Sequence, residues 1–360
     1  MKKLFVILNI ALPFVLVAQS AQSDTSASLA FSGYIENYFL YDFSNPTDHN
    51  RPGFVYSYNR HNEFNTNLGY VKAAYSKGIT RANLALMAGT YTNANLAAEP
   101  GVLKNIFEAN IGVKLSKKHN LWSDAGIFSS HIGFESAVGK DCWNLTRSIL
   151  ADNSPYYESG LKVSYTSKNE KWFLSLLVLN GWQHMQRPAG NNTPAIGHQL
   201  TWKPNNKITL NSSSFIGNDK PDTSKQMRYF HNFYGQFAIT PKIGLITGFD
   251  IGVEQKAKSN NQYNTWYSPV IIVRYQIAPK IALAGRAEHY NDKNGVIINY
   301  TIRNGFQTTS YSLNFDYTVA SNVLWRFEGR MFNSRDKIFV RNGIASANNY
   351  TAATSLAISF

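Results

Sequence analysis

The sequence predicts an all-β chain: a transmembrane antiparallel β-barrel of about 16 strands, with 14 as the alternative, short turns on its periplasmic rim and long loops on its extracellular rim. Three observations predict it. Short segments alternate apolar and polar residues with the period of two of a strand held between two different surroundings. Their connections alternate strictly between tight turns, such as "SKGI", "SKKHN", "TSKN" and "TVAS", and longer polar loops at 42–61, 92–103, 129–155, 182–194, 218–227, 255–262, 292–304 and 333–347. That alternation is the pattern of outer-membrane barrels. Finally, aromatic residues reach 14% and charged residues only 16%, yet beyond the N-terminal run the longest clean apolar stretch is "LLVL" at 176–179, too short for a membrane-crossing helix.

The elements follow in order. Lys2 and Lys3, an apolar run from Leu4 to Ala18 broken by Asn9 and Pro13, and then small polar residues read as a secretory signal peptide, 1–22. An uncleaved anchor is the weaker alternative, because the run is shorter than the ~20 residues a span needs. The remaining 23–360 show no linker, composition shift or low-complexity tract, and read as one barrel domain. The first strand, 29–41, lies in "LAFSGYIENYFLYD" and must pair with the last, since an open edge is intolerable in lipid. Strands at 62–75 and 80–91 flank the "SKGI" turn. The fourth, 104–115, is the clearest: "FEANIGVKL" sets Phe107, Ala109, Ile111, Val113 and Leu115 opposite Glu108, Asn110, Gly112 and Lys114.

Strands at 120–128, 156–166 and 170–181 come next; "FLSLLVLNGW" in the last of them is apolar on both faces, so its facing stays ambiguous. Those at 195–204, 207–217, 228–240 and 242–254 are separated in pairs by the tight turns "PN" and "TP". The strand at 263–277 holds "VIIVRY", again apolar on both faces. At 279–291, "IALAGRAEHY" opposes Ile281, Leu283, Gly285 and Ala287 to Arg286, Glu288 and Tyr290. The strands at 305–318 and 321–332 put Asn314 and Asp316, then Arg326, Glu328 and Arg330, on their polar faces. The final strand, 348–360, alternates through "TAATSLAISF" to a terminal Phe360. Trp122, Trp172, Trp202 and Trp325 fall near the short-turn rim, and Trp182 and Trp266 near the long-loop rim, where aromatic girdles sit.

The chain resembles a known family, the OmpL-like β-barrel porins (β-barrel porin-2 type) of Bacteroidetes outer membranes. The resemblance is carried best by "DAGIFSSHIGFESAVGKDCWNLTRSILADNSPYYESGLKVSY", 124–165, with "GIFSSHIGFES", "WNLTRS" and "SPYYESG" as landmarks. It implies an integral outer-membrane channel. Phe360 resembles the terminal aromatic by which the barrel-assembly machinery recognises such chains. Cys142 stands where a non-cysteine residue is expected, and no function attaches to it.

Signatures of chemistry are lacking. There is no phosphate loop, no HExxH or His/Cys cluster, and no G-x-S-x-G elbow, so neither cofactor nor metal is expected, and the chain is not expected to be an enzyme. A phospholipase-like use of His198, His231 and His289, which fall on the lipid face, is the weak alternative. The formal charge of +13, or +11 once Lys2 and Lys3 leave, is spread over all strands and loops and does not indicate nucleic acid. The single cysteine allows no intrachain disulfide.

A barrel of this size is too wide for its own side chains to fill and leaves a watery lumen. Arg274, Arg286, Arg326 and Arg330, with Asp250, Glu254, Glu288 and Glu328, are expected to line it, either as a self-neutralised ladder or as a field that selects ions. The function this predicts is passive diffusion of small hydrophilic solutes with mild anion preference. The alternative class is a surface-binding or adhesin barrel without an open pore. Expected surroundings are outer-membrane lipids and lipopolysaccharide; the oligomeric state is open, a trimer being the form analogy offers. The loop 129–155 carries Phe134, Trp143, Leu145, Ile149 and Leu150, which need burial. It is expected either to enter the barrel as a constriction bearing Glu135, Asp141, Cys142 and Arg147, its acids facing the arginines across the lumen, or to pack over the mouth or a neighbouring subunit.

Overall fold

A computed structural model describes residues 26–341 and 343–360. The expected signal segment, 1–22, lies outside the described residues. Sixteen antiparallel strands close into one barrel. The first eight are β1 (Ser28–Asp42), β2 (Phe64–Lys77), β3 (Thr80–Ala88), β4 (Ile106–Lys114), β5 (Asn120–Ser129), β6 (Tyr157–Thr166), β7 (Trp172–Leu179) and β8 (Ala195–Asn205). Then follow β9 (Ile208–Gly217), β10 (Arg228–Ala238), β11 (Ile243–Gln255), β12 (Tyr263–Ala278), β13 (Ile281–Asp292), β14 (Phe306–Ala320) and β15 (Val323–Ser334). A small hairpin, β16 (Phe339–Arg341) and β17 (Ile344–Ser346), sits in the last long loop before β18 (Asn348–Ser359) completes the wall. Among the described residues no helix is long and apolar enough to cross a membrane; the strands cross.

Every expected strand is present, with ends displaced by a few residues. Closure runs from Tyr34↔Ser359 to Asp42↔Thr351. It continues to Phe360, whose N–H donates to Gly33 O (3.0 Å) while its carbonyl accepts from Gly33 N (2.7 Å). Strand β3 stops earlier than its pattern does. Gly89 adopts φ 136°, a conformation side chains rarely take, and turns the chain inward as the short helix α1 (Thr90–Asn95).

The outer face is an apolar belt: Phe31, Val71, Ile111, Leu176 and Leu313 are all more than half exposed. Trp172 and Trp202 stack on this face at 5.5 Å, and Trp325 is likewise exposed. The other girdle tryptophans need correcting. Trp122 points inward, beneath the guanidinium of Arg81 at 4.1 Å. Trp266 is buried inside beside Phe230, and Trp182 packs on Phe215 and Phe230. Nearness to a rim sets depth but not facing. Phe107 is also turned inward, because β4 carries an extra residue where Ala85 pairs with Glu108 and Leu86 with Ile106; its ring stacks on Tyr70 at 4.9 Å.

The loop-filled lumen as candidate functional site

The chain leaving β5 crosses the barrel interior before returning to β6. Its first leg reaches the β9–β10 wall: His131 O accepts from Ser213 Oγ (2.7 Å), and Gly133 N donates to Asn232 Oδ1 (3.3 Å). Phe134 then meets Tyr234 edge-on at 5.7 Å. The second leg lies along β13–β15, and the single-turn helix α2 (Ile149–Asp152), capped by Ser148, leads it back.

The second leg is held by charged wall residues that grip its backbone. Arg326 donates to the carbonyls of Gly139 (2.8 Å), Cys142 (2.9 Å) and Asn144 (3.1 Å) while binding Asp316 through Nε (2.7 Å). Arg286 donates to Thr146 O (2.7 Å) and Glu328 (3.1 Å), and Arg330 to Arg147 O (2.7 Å) and Glu288 (2.6 Å). The acids take the amides: Glu328 accepts from Thr146 N (2.5 Å), and Glu288 from Ile149 N (2.6 Å). Burying such charges is tolerable because nearly every lone pair and proton has a partner. Within the loop, Arg147 donates to Ser136 O (2.7 Å) and Leu145 O (2.7 Å), and Glu135 accepts from Ser148 N (3.0 Å) and the Ser148 hydroxyl.

Of the residues named from sequence, Glu135, Arg147, Arg286, Glu288, Arg326, Glu328 and Arg330 therefore form one buried network. Glu135 does not face the arginines across water; its Oε1 lies 3.7 Å from Arg286 Nη1. Asp250 stands apart, accepting from Asn232 Nδ2 (2.5 Å), and Glu254 pairs with Arg228 (2.7 Å). Asp141 is exposed beside Lys140 (2.8 Å). Cys142 is buried under the loop, its thiol 3.4 Å from Ser136 O, and burial pushes that thiol up to about 11. Asp152, buried on α2, is pushed up to about 6 by the same cause, although Ser57 Oγ donates to it at 2.9 Å.

Sequence reasoning missed the opposite wall. There Lys72 pairs with Glu108, Arg81 pairs with Asp124 (2.6 Å), and Lys162 lies over Phe128 at 4.5 Å. The signal was present, since Glu108 stands on the polar face of "FEANIGVKL" and these cations share that inward parity across the ladder. Cavities among the described residues mark part of the remaining space. One, of about 190 Å³, lies between the first loop leg and Phe107. Two larger ones, about 320 and 310 Å³, are lined by residues at the short-turn end. Beneath the extracellular rim the interior is packed. Phe54 of the first long loop meets Phe306 at 4.7 Å and Phe332 at 5.5 Å, and Ile132, Ile149, Ile298 and Phe339 join the same buried cluster.

Residues 28–360 match the family described as beta-barrel porin-2, OmpL-like. No curated protein matches the chain. Among solved structures, the anion-selective porin from Comamonas acidovorans is similar at TM-score 0.61 and 7% identity, over 93% of this chain and 100% of that one. The outer membrane channel DcaP of Acinetobacter baumannii gives TM-score 0.59 and 11% identity over 94% and 99%. OmpT of Vibrio cholerae in its trimer form gives 0.59 and 9% over 93% and 100%. Identities this low speak for a shared barrel fold.

Proposed function

From the premise that this chain belongs to the beta-barrel porin-2, OmpL-like family and is an integral outer-membrane channel, we propose that it passes small hydrophilic solutes by passive diffusion with a mild preference for anions. One observation carries the preference. In three partly exposed pairs on the wall strands the cation is the more accessible partner: side-chain exposure is 27% for Lys72 against 14% for Glu108, 35% for Arg81 against 5% for Asp124, and 34% for Arg274 against 6% for Asp316; the loop pair Lys140–Asp141 runs the other way. Water in the lumen meets guanidinium and ammonium first, so the local field is positive although the pairs are nearly neutral.

The apolar packing beneath the extracellular rim means that solutes pass only when loops there yield. Openings are expected to be stepwise and ohmic, interrupted by closures. Reconstitution into planar bilayers under a salt gradient tests the reading: a reversal potential of anion sign supports it, and clear cation preference overturns it.

A channel rather than an enzyme is the reading that fits the lipid-facing histidines. His198 contacts Ser214 Oγ (2.5 Å), His231 contacts Ser212 Oγ (3.0 Å) and His289 contacts Thr309 Oγ1 (2.9 Å). The strand amides around them serve the ladder, leaving no donor pair to hold an oxyanion. Export by the segment 1–22, recognition by the barrel-assembly machinery through Phe360, contact with lipopolysaccharide, and assembly as a homotrimer complete the proposal. The OmpT trimer form supports the last, which a mass measurement in detergent checks.

A further inference from the structure

The two larger cavities share two residues, Trp143 at the turn of the long loop and Arg274 on β12. The outer edge of the Trp143 indole packs against Gly244, where an added Cβ would come within 2.5 Å of its Cη2. Gly244 is the cross-strand partner of Arg274, so the ring packs beside the backbone of Arg274, while the guanidinium reaches over β13 toward Asp316; ring and guanidinium both line the same cavity.

Arg274 differs from the three arginines that hold the loop. Its single ion partner, Asp316, is 3.6 Å away, and both oxygens of that carboxylate are already bound by Arg326 at 2.7 and 3.2 Å. Its Nε is enclosed and unpartnered, while a third of the side chain faces the cavities. A guanidinium is a planar fork that matches a carboxylate with two parallel hydrogen bonds. An adjacent indole face offers a flat apolar platform. Cavities near 300 Å³ are at the lower end of the sizes that hold small ligands.

We propose that Arg274 and Trp143 form a binding subsite for carboxylates borne on a flat ring, through which anionic solutes pass at the periplasmic end of the channel. The carboxylate takes the open edge of Arg274 and the ring lies against Trp143. Lys242 adds positive potential at one cavity without fixing orientation, whereas Lys140 at the other is paired with Asp141 (2.8 Å). The inference rests on the channel reading for its physiological use, but the subsite itself is a property of the folded barrel.

Benzoate and acetate are the probes, titrated calorimetrically into the detergent-refolded barrel and added to the periplasmic side in bilayers. Arg274→Gln keeps the fold, because Asp316 remains bound by Arg326. It is expected to weaken benzoate binding about tenfold or more, the usual loss for a charge-assisted pair. Arg274→Lys, which keeps charge without the fork, falls between. Trp143→Ala weakens benzoate and leaves acetate unchanged. Equal benzoate binding by wild type and Arg274→Gln, or no saturable binding by wild type, overturns the subsite. Channels that conduct normally beside such a result leave the function standing; benzoate binding by a barrel that never conducts does the reverse.

Discussion

Two walls of one barrel carry the same residue types and do different things with them. On β13–β15, Arg286, Arg326 and Arg330 are buried because a loop lies on them, and their donors end on its carbonyls. On β2–β6, Lys72, Arg81 and Lys162 meet neighbouring strands and keep one side toward water. The difference teaches that a charge pointing into a barrel becomes pore lining only where no backbone comes to claim it.

The largest test of this contrast is Arg326→Ala. It leaves the carbonyls of Gly139, Cys142 and Asn144, and the carboxylate of Asp316, without their donor. A loss of about 3–5 kcal/mol is expected, as for any buried pair broken on one side. The loop should become cleavable by added protease and single-channel conductance should rise, as it should on deleting residues 136–148. Unchanged conductance in both would place the loop outside the permeation path.

The opposite wall should respond in selectivity instead. At ~8 Å through water one unit charge is worth ~0.5 kcal/mol, about a twofold change in local ion concentration. The double variant Lys72→Gln, Arg81→Gln is therefore expected to lower the anion-to-cation permeability ratio severalfold at low salt, and less at 1 M, where screening acts within ~3 Å. Arg286→Gln should cost stability and leave the reversal potential nearly unchanged. If Arg286→Gln shifts the potential more than the double variant does, the assignment of the two walls is inverted.

Asp152 gives the loop side a pH dependence. Its folded value of about 6 stands above the ordinary 3.8, because burial penalises the charged form. The fold favours the protonated acid, so this contribution is complete below pH 3.8 and lost as pH rises through about 6. Denaturant unfolding at pH 4 and pH 7.5 should differ by on the order of 2 kcal/mol from this source. Asp152→Asn should remove that difference; if it does not, other groups carry the pH response.

The smallest effect concerns Cys142. Buried, with its thiol pushed up to about 11, it should react with a charged thiol reagent at neutral pH far more slowly than a free thiol. Reaction should accelerate in Arg326→Ala. Rapid labelling of the wild type would mean that the loop leaves its wall spontaneously.

The strands were legible because a period of two survives in almost every segment, and the inward charges could be read from parity alone. Facing failed where geometry departs from the pattern. Phe107 is inverted by one extra residue in β4, and Trp266 lies at the depth of a girdle residue while its parity turns it inward. What no local pattern held was the division of labour between the walls. Arg326 and Arg81 look alike along the chain, and only the path of residues 130–156 through the interior separates them. That path depends on contacts such as Thr146 to Glu328, 182 positions apart.

Gripping a loop by its carbonyls has a consequence for how such a protein can change. Arg286, Arg326 and Arg330 bind backbone oxygen atoms that every amino acid supplies, although Thr146 and Arg147 also engage their side chains and a side chain at Gly139 would meet Glu36. Outward-facing positions of the segment, such as Lys140 and Asp141, are thus free to drift while the clasp holds. The wall is a reusable socket: descendants of this gene can acquire new solute preferences by substitutions in one short stretch, with the scaffold inherited intact.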